Sequence, residues 1–134
     1  MTRFSLSGLA LAACSAAALF AAAPAQAQNC SCTKYESAQQ FVQFNDVIFK
    51  GKAIASKSQY GVTTTTFQVL EALKGEPGKS VAVSHPAPGK SCGGVAFTPG
   101  QTALIVAQGL VDDLGTTSCQ INAYSEAQIR AALH

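Results

Sequence analysis

The chain has no tryptophan, a single methionine and only two histidines in 134 residues. Charged residues make up 12% of it, with nine Lys and Arg against seven Asp and Glu, and the basic ones form no cluster. Lacking a basic patch or stripe, it is a poor match for nucleic acid or an anionic membrane. One histidine is the C-terminal residue, which leaves His85 as the only internal imidazole. Ser84, Asp112 and Asp113 supply the other residue types of a hydrolase, but no nucleophile elbow or triad spacing accompanies them. Neither an enzyme nor a cofactor is therefore expected.

Hydrophobic runs are confined to one place. Arg3 is the only charge before residue 28, and an Ala-rich apolar run leads to Pro24-Ala25-Gln26-Ala27. A basic start, an apolar stretch and an A-x-A site make residues 1–27 a secretory signal peptide, cleaved after Ala27. No second apolar span follows, so no membrane span is expected. Residues 28–134 then form one domain, exported to the periplasm or beyond the cell and expected to be a monomer. Leu11-Ala12-Ala13-Cys14 offers an alternative, because it resembles a lipobox. Lipidation of Cys14 would anchor the protein in the cell envelope, although the sequence after Cys14 stays apolar where a tether is normally polar.

Cysteine is present in an awkward number, five. Removing Cys14 with the leader leaves Cys30, Cys32, Cys92 and Cys119, an even set suited to two disulfides in an oxidising compartment. Pairing Cys30 with Cys32 strains the bridge across one intervening residue. The other two connectivities stay open, and both pin the N-terminus to distant parts of the domain. A metal site made of Cys30, Cys32, His85 and Cys92 would need thiolates, which that compartment disfavours. A redox role would want C-x-x-C at a helix start, and this is C-x-C.

The remainder reads as mainly β. Strands are expected over residues 46–56, 62–75, 80–84 and 101–108, with a last one entering Cys119 after a turn at Asp112 and Asp113. Tyr60-Gly61, Glu76-Pro77-Gly78 and Thr98-Pro99-Gly100 supply the turns. The Thr run at residues 63–66 reads as β-propensity. In the first strand Val47, Phe49, Gly51, Ala53 and Ala55 face inward, while Ile48, Lys50, Lys52 and Ile54 form a solvated face. Gly51 suggests a bulge. His85 lies in a loop made irregular by Pro86 and Pro88. Capping patterns at Ser37/Gln40 and Ser125/Gln128 predict a short early helix over residues 37–44 and a C-terminal helix. Phe41, Phe44, Phe49, Phe67 and Phe97 are assigned to the core. Five strands in a chain this size suggest a small closed barrel of OB type, although a sandwich fits the count nearly as well.

The order of several short motifs carries a resemblance. Cys30-x-Cys32 opens the domain, and a Phe41 helix leads into "DVIFKGKA". Phe67-x-Val69 precedes Lys74-Gly75, Cys92-Gly93 follows, Phe97 and Gly100 precede Leu104-Ile105, and "TTSC" closes at Cys119. This arrangement resembles the netrin-like module and the N-terminal domain of tissue inhibitors of metalloproteinases, over nearly the whole of residues 28–134. The resemblance implies an OB-type five-stranded barrel with flanking helices, and the pairings Cys30–Cys92 and Cys32–Cys119. It also implies a protein partner, with a zinc metalloprotease as the specific target. In that family the first cysteine's free α-amine and carbonyl chelate the protease's zinc. Here those roles fall on Cys30 for chelation, Ser31 for the specificity pocket, and Ser91 and Cys92 for the flanking ridge. Cleavage after Ala27 leaves Gln28 and Asn29 ahead of Cys30, so the chelating amine forms only if two residues are trimmed.

Overall fold

Ser37 starts the first regular element. The computed structural model describes residues 31–89 and 92–134, and helix α1 runs over Ala38–Phe44. The Ser37 hydroxyl accepts the N–H of Gln40 at 3.1 Å. The Gln40 side chain reaches back to the N–H of Glu36 at 2.8 Å, one residue before the cap, so the expected box spreads over two residues. At the other end Asn45 turns extended, and its side-chain amide donates to the Phe41 carbonyl at 2.8 Å. Lys74 donates to the carbonyls of Val42 and Asn45, both at 2.6 Å. A cation thus occupies the carbonyl-rich end of the helix, where both the orphan acceptors and the dipole favour it.

The strands are β1 (Val47–Gln59), β2 (Val62–Lys74), β3 (Ser80–Pro86), β4 (Thr102–Leu110) and β5 (Asp113–Gly115); the remaining helices are α2 (Ser118–Ile121) and α3 (Glu126–Ala132). They close into a barrel in the order β1-β2-β3-β5-β4. The neighbouring pairs are antiparallel except β3 and β5, which run parallel. The mainly β, closed five-stranded architecture is thus the one expected.

Several boundaries differ from the sequence reading: β1 runs on to Gln59, β4 runs on to Leu110, and Asp113 already belongs to β5. Strand β3 continues through His85 and Pro86, which pair with Thr63 and Val62; a proline at a strand end removes little from the ladder. The last strand stops at Gly115, and Cys119 lies in α2. Thr116 ends the strand by donating its hydroxyl to the Val106 carbonyl at 2.6 Å, and Thr117 accepts the N–H of Ile121 to open the helical turn.

Inside the barrel, Val47, Phe49 and Ala53 of β1 pack with Phe67, Val81, Val83, Phe97, Ile105, Ala107 and Leu114. Phe49, Phe67, Phe97 and His85 form a chain of edge-to-face rings with centroids 5.8, 5.0 and 5.2 Å apart. Gly51 is needed here, because a Cβ would lie 2.6 Å from the Phe49 ring. The register shifts beside it, between Lys50 and Gly51, as expected of a bulge. A further shift between Ala53 and Ala55 accommodates Ile54 as an extra residue, and Ala55 is exposed rather than inward.

Ile48 corrects the expectation of a solvated outer face. It is fully buried, together with Val106, under Phe41 and Val42 of α1 and Ile129 of α3. Lys50 pairs with Glu126 of α3 at 3.3 Å. Phe44, assigned to the core, is 61% exposed; α1 ends there, and the buried face is already filled by Phe41 and Val42. Helix α3 begins with the expected Ser125/Gln128 capping box. Its Arg130 makes a forked contact with Glu71 of β2 at 3.0 and 2.7 Å. Among the described residues no helix is long and apolar enough to cross a membrane.

Candidate functional site

A disulfide ties the N-terminal segment to helix α2. Cys32 is bonded to Cys119 of α2, with their Cα atoms 5.4 Å apart and a sequence separation of 87. Cys92 is disulfide-bonded as well. Cys30 and Ser91, two of the four expected edge residues, lie outside the described residues, as does Cys14.

The loop bearing Cys92 is drawn to the same place by Gly93. Its φ is +81°, and a Cβ there would meet the Thr117 side chain at 3.0 Å. The Gly93 carbonyl accepts the N–H of Ser118 at 2.8 Å. The loop therefore docks against the start of α2, the helix that carries Cys119. Ser31 and Cys92, the other two expected edge residues, are both exposed and line one open cleft of about 540 Å³ with Cys32, Cys119, Tyr35 and Gln108. A second cleft of about 490 Å³ lies on the far side of the bridge, bordered by Lys34, Tyr35, Asn122 and Tyr124. Residues 31–35 thus form a ridge between two shallow hollows.

Beneath the ridge, Asn45 was missed from sequence. It is fully buried; its side-chain oxygen accepts from Gln120 at 2.8 Å while its amide holds Phe41. It joins α1 to α2 and so fixes the helix bearing Cys119. An asparagine just past a helix was legible only as a stop signal.

The chemistry of the cleft walls is hydroxyl, amide, disulfide and phenol, with the Lys34 ammonium as the one charged group among the described lining residues. Among the described residues no group of three His, Cys, Asp or Glu could hold a metal ion. Cys32 is committed to its bridge and His85 lies elsewhere, so the thiolate and imidazole set considered from sequence does not assemble. Nor do Ser84 and His85 form a catalytic pair. The Ser84 hydroxyl bonds Thr64 on one face of β3 at 3.3 Å, while the His85 imidazole bonds Thr65 on the other at 2.8 Å.

His85 is buried, at 2% exposure, which corrects its reading as a loop residue. Its place at i+4 from Val81, after Val83, continues one inward face, and that periodicity could have revealed it. The Nδ1 atom faces the Pro86 carbonyl at 3.4 Å. A carbonyl only accepts, so Nδ1 carries the proton and Nε2 accepts from the Thr65 hydroxyl. Thr65 in turn receives the Ser56 hydroxyl at 2.8 Å. Burial holds the imidazole below the usual histidine range, with backbone carbonyls of Pro86 and Val95 opposing that shift. His85 is thus a neutral pin across the barrel's end.

No family model matches the chain, and no curated protein matches it.

Proposed function

We propose that this chain is an exported, disulfide-stapled protein-binding module of netrin-like, OB-type architecture, docking through an edge made by Cys30, Ser31, Ser91 and Cys92. The observation that carries this reading is the convergence of Ser31 and Cys92 on one cleft beside the Cys32–Cys119 bridge. Residues 61 positions apart in sequence form one exposed rim, and that rim has no catalytic or metal-binding group among its described residues. The strand circuit supports the OB assignment: β3 and β5 run parallel and β4 returns to β1, the path of a five-stranded Greek-key barrel. The disulfide state of Cys92 supports Cys30 as its partner.

A zinc metalloprotease is the specific target. Catalytic zinc keeps an open position beside three protein ligands, and a free α-amine at Cys30 would fill it with the neighbouring carbonyl. Mass spectrometry of the purified protein tests the premise. A start at Cys30, with inhibition of a zinc metalloprotease at micromolar protein, is the expected result for an inhibitor. A start at Gln28 removes the chelating amine and leaves docking without inhibition. A lipidated Cys14 would move the protein to the envelope. Non-reducing peptide mapping completes the test, since a Cys30–Cys119 link would break the likeness on which the edge is drawn.

A further inference from the structure

The far end of the β1–β2 hairpin carries an unused strand edge. Strand β4 pairs with β1 only from Val47 to Lys52, and the chain then bonds Ala53 through Gln101 and Gly100. Beyond that point β1 has β2 on one side and no strand on the other among the described residues. All six residues 54–59 are exposed. The hairpin closes on the pair Gln59 and Val62, and alternation along an antiparallel ladder turns the backbone amides and carbonyls of Ser56 and Ser58 away from β2. These groups are free to pair with an added strand.

The tip is built for contact rather than for its own stability. Tyr60 has φ +52° and is 95% exposed. An L-residue in this region is disfavoured, and a bulky one is a marked exception. Lys57, Gln59, Tyr60 and Val62 surround a shallow hollow on the outer face. Residues 47–70 contain three lysines and no carboxylate. Lys50 is paired with Glu126, whereas Lys52 and Lys57 are exposed, with no ion pair among the described residues.

We infer that residues 54–59 accept an extended, acidic segment of a partner protein by strand addition, with Tyr60 and Val62 gripping an apolar side chain of that segment. Main-chain bonds supply affinity in this mode and flanking pockets supply selectivity. Charge decides against a second copy as the occupant, because antiparallel self-pairing about Lys57 would bring like charges together, a known device against edge-to-edge association. It favours an acidic strand for the same reason. This surface is distinct from the N-terminal rim, and the inference does not depend on protease binding.

The test titrates the disulfide-bonded protein, labelled for amide NMR, with a capped seven-residue peptide of alternating Glu and Val. The Lys/Val counterpart serves as the control. Saturable shifts at residues 54–59, with slowed exchange of the Ser56 and Ser58 amides, are expected for the Glu/Val peptide alone. Lys57→Glu should weaken binding about tenfold or more. Ser58→Pro, which an edge strand tolerates, should abolish it while the remaining amide spectrum stays native. Absence of shifts at these amides at millimolar peptide, or equal binding of both peptides, overturns the inference. So does binding that survives both substitutions. Sedimentation of the protein alone as a dimer, with the same amides protected, overturns it in favour of a second copy. Inhibition of a metalloprotease is read on the same variants and should not change; joint loss would merge the two surfaces and overturn their separation.

Discussion

The two ends of β1 inhabit different environments. From Ile48 to Gly51 the strand has a neighbour on each edge and is covered on both faces, by the barrel core inside and by α1 and α3 outside. From residue 54 onward it has one neighbour and is exposed throughout. The partner strand follows suit: Phe67 is fully buried, whereas Thr63 and Thr65 line the interior with hydroxyls. One hairpin is thus anchored by apolar packing at its base and held by polar contacts at its open end. Stability belongs to the first half and surface chemistry to the second.

Breaking the base should have the largest effect. Phe67→Ala removes the ring that bridges Phe49 and Phe97, and denaturant unfolding should show a loss of about 3–5 kcal/mol. At the open end, Thr65→Val deletes the donor to His85 Nε2 and the acceptor for Ser56. The orphaned imidazole nitrogen should cost about 1–3 kcal/mol in the same measurement.

Acidity separates the two ends more finely. His85 is held below its ordinary range by burial, so the unfolded chain binds its proton more readily than the folded one. The resulting stability is complete above the ordinary histidine range and is lost as pH falls through it. Unfolding midpoints at pH 7.5 and 5 should therefore differ, and His85→Gln should flatten that difference. Glu71 and Glu126 are held below the usual carboxylate range by hydrogen bonds from Arg130, aided at Glu126 by one from Lys50. Their contribution is present above that range and is lost only at more acidic pH. Arg130→Ala should leave the His85 step intact and weaken the lower one.

The smallest effect has the opposite sign. Tyr60→Gly relieves the positive φ and should raise stability by up to about 1 kcal/mol. The same substitution should weaken the Glu/Val peptide, since it removes the aromatic grip.

Much of this architecture was legible because alternation and turn chemistry agree. Val81 and Val83, Phe67 and Val69, and the turns at Tyr60 and Pro99 place the strands without tertiary information. Ile48 was not legible. Its neighbours Lys50 and Lys52 mark that face as wet, and only the docking of two helices from opposite ends of the sequence dries it. The extra residue at Ile54 shifted the alternation and misplaced Ala55. Cys119 was read as strand because "TTSC" is rich in β-formers, yet Thr116 and Thr117 spend their hydrogen bonds ending a strand and opening a turn of helix. At the rim, Ser31 and Cys92 were marked by a family likeness, while Asn45 carried only a helix-stop signal, because its distant partners Lys74 and Gln120 come from β2 and α2.

The Cys32–Cys119 bond has a mechanical consequence. All five strands lie between its two cysteines, so they sit inside a covalent ring. Tension applied through the two ends of the chain passes across the sulfur atoms and bypasses the barrel. Only the tail carrying α3 lies outside the ring on the C-terminal side, held by Ile129 and by the Arg130 fork to Glu71. Under load that helix should peel first, wetting nothing inside the barrel but uncovering the part of Ile48 and Val106 that Ile129 covers. The strands would stay folded while the disulfide remains intact.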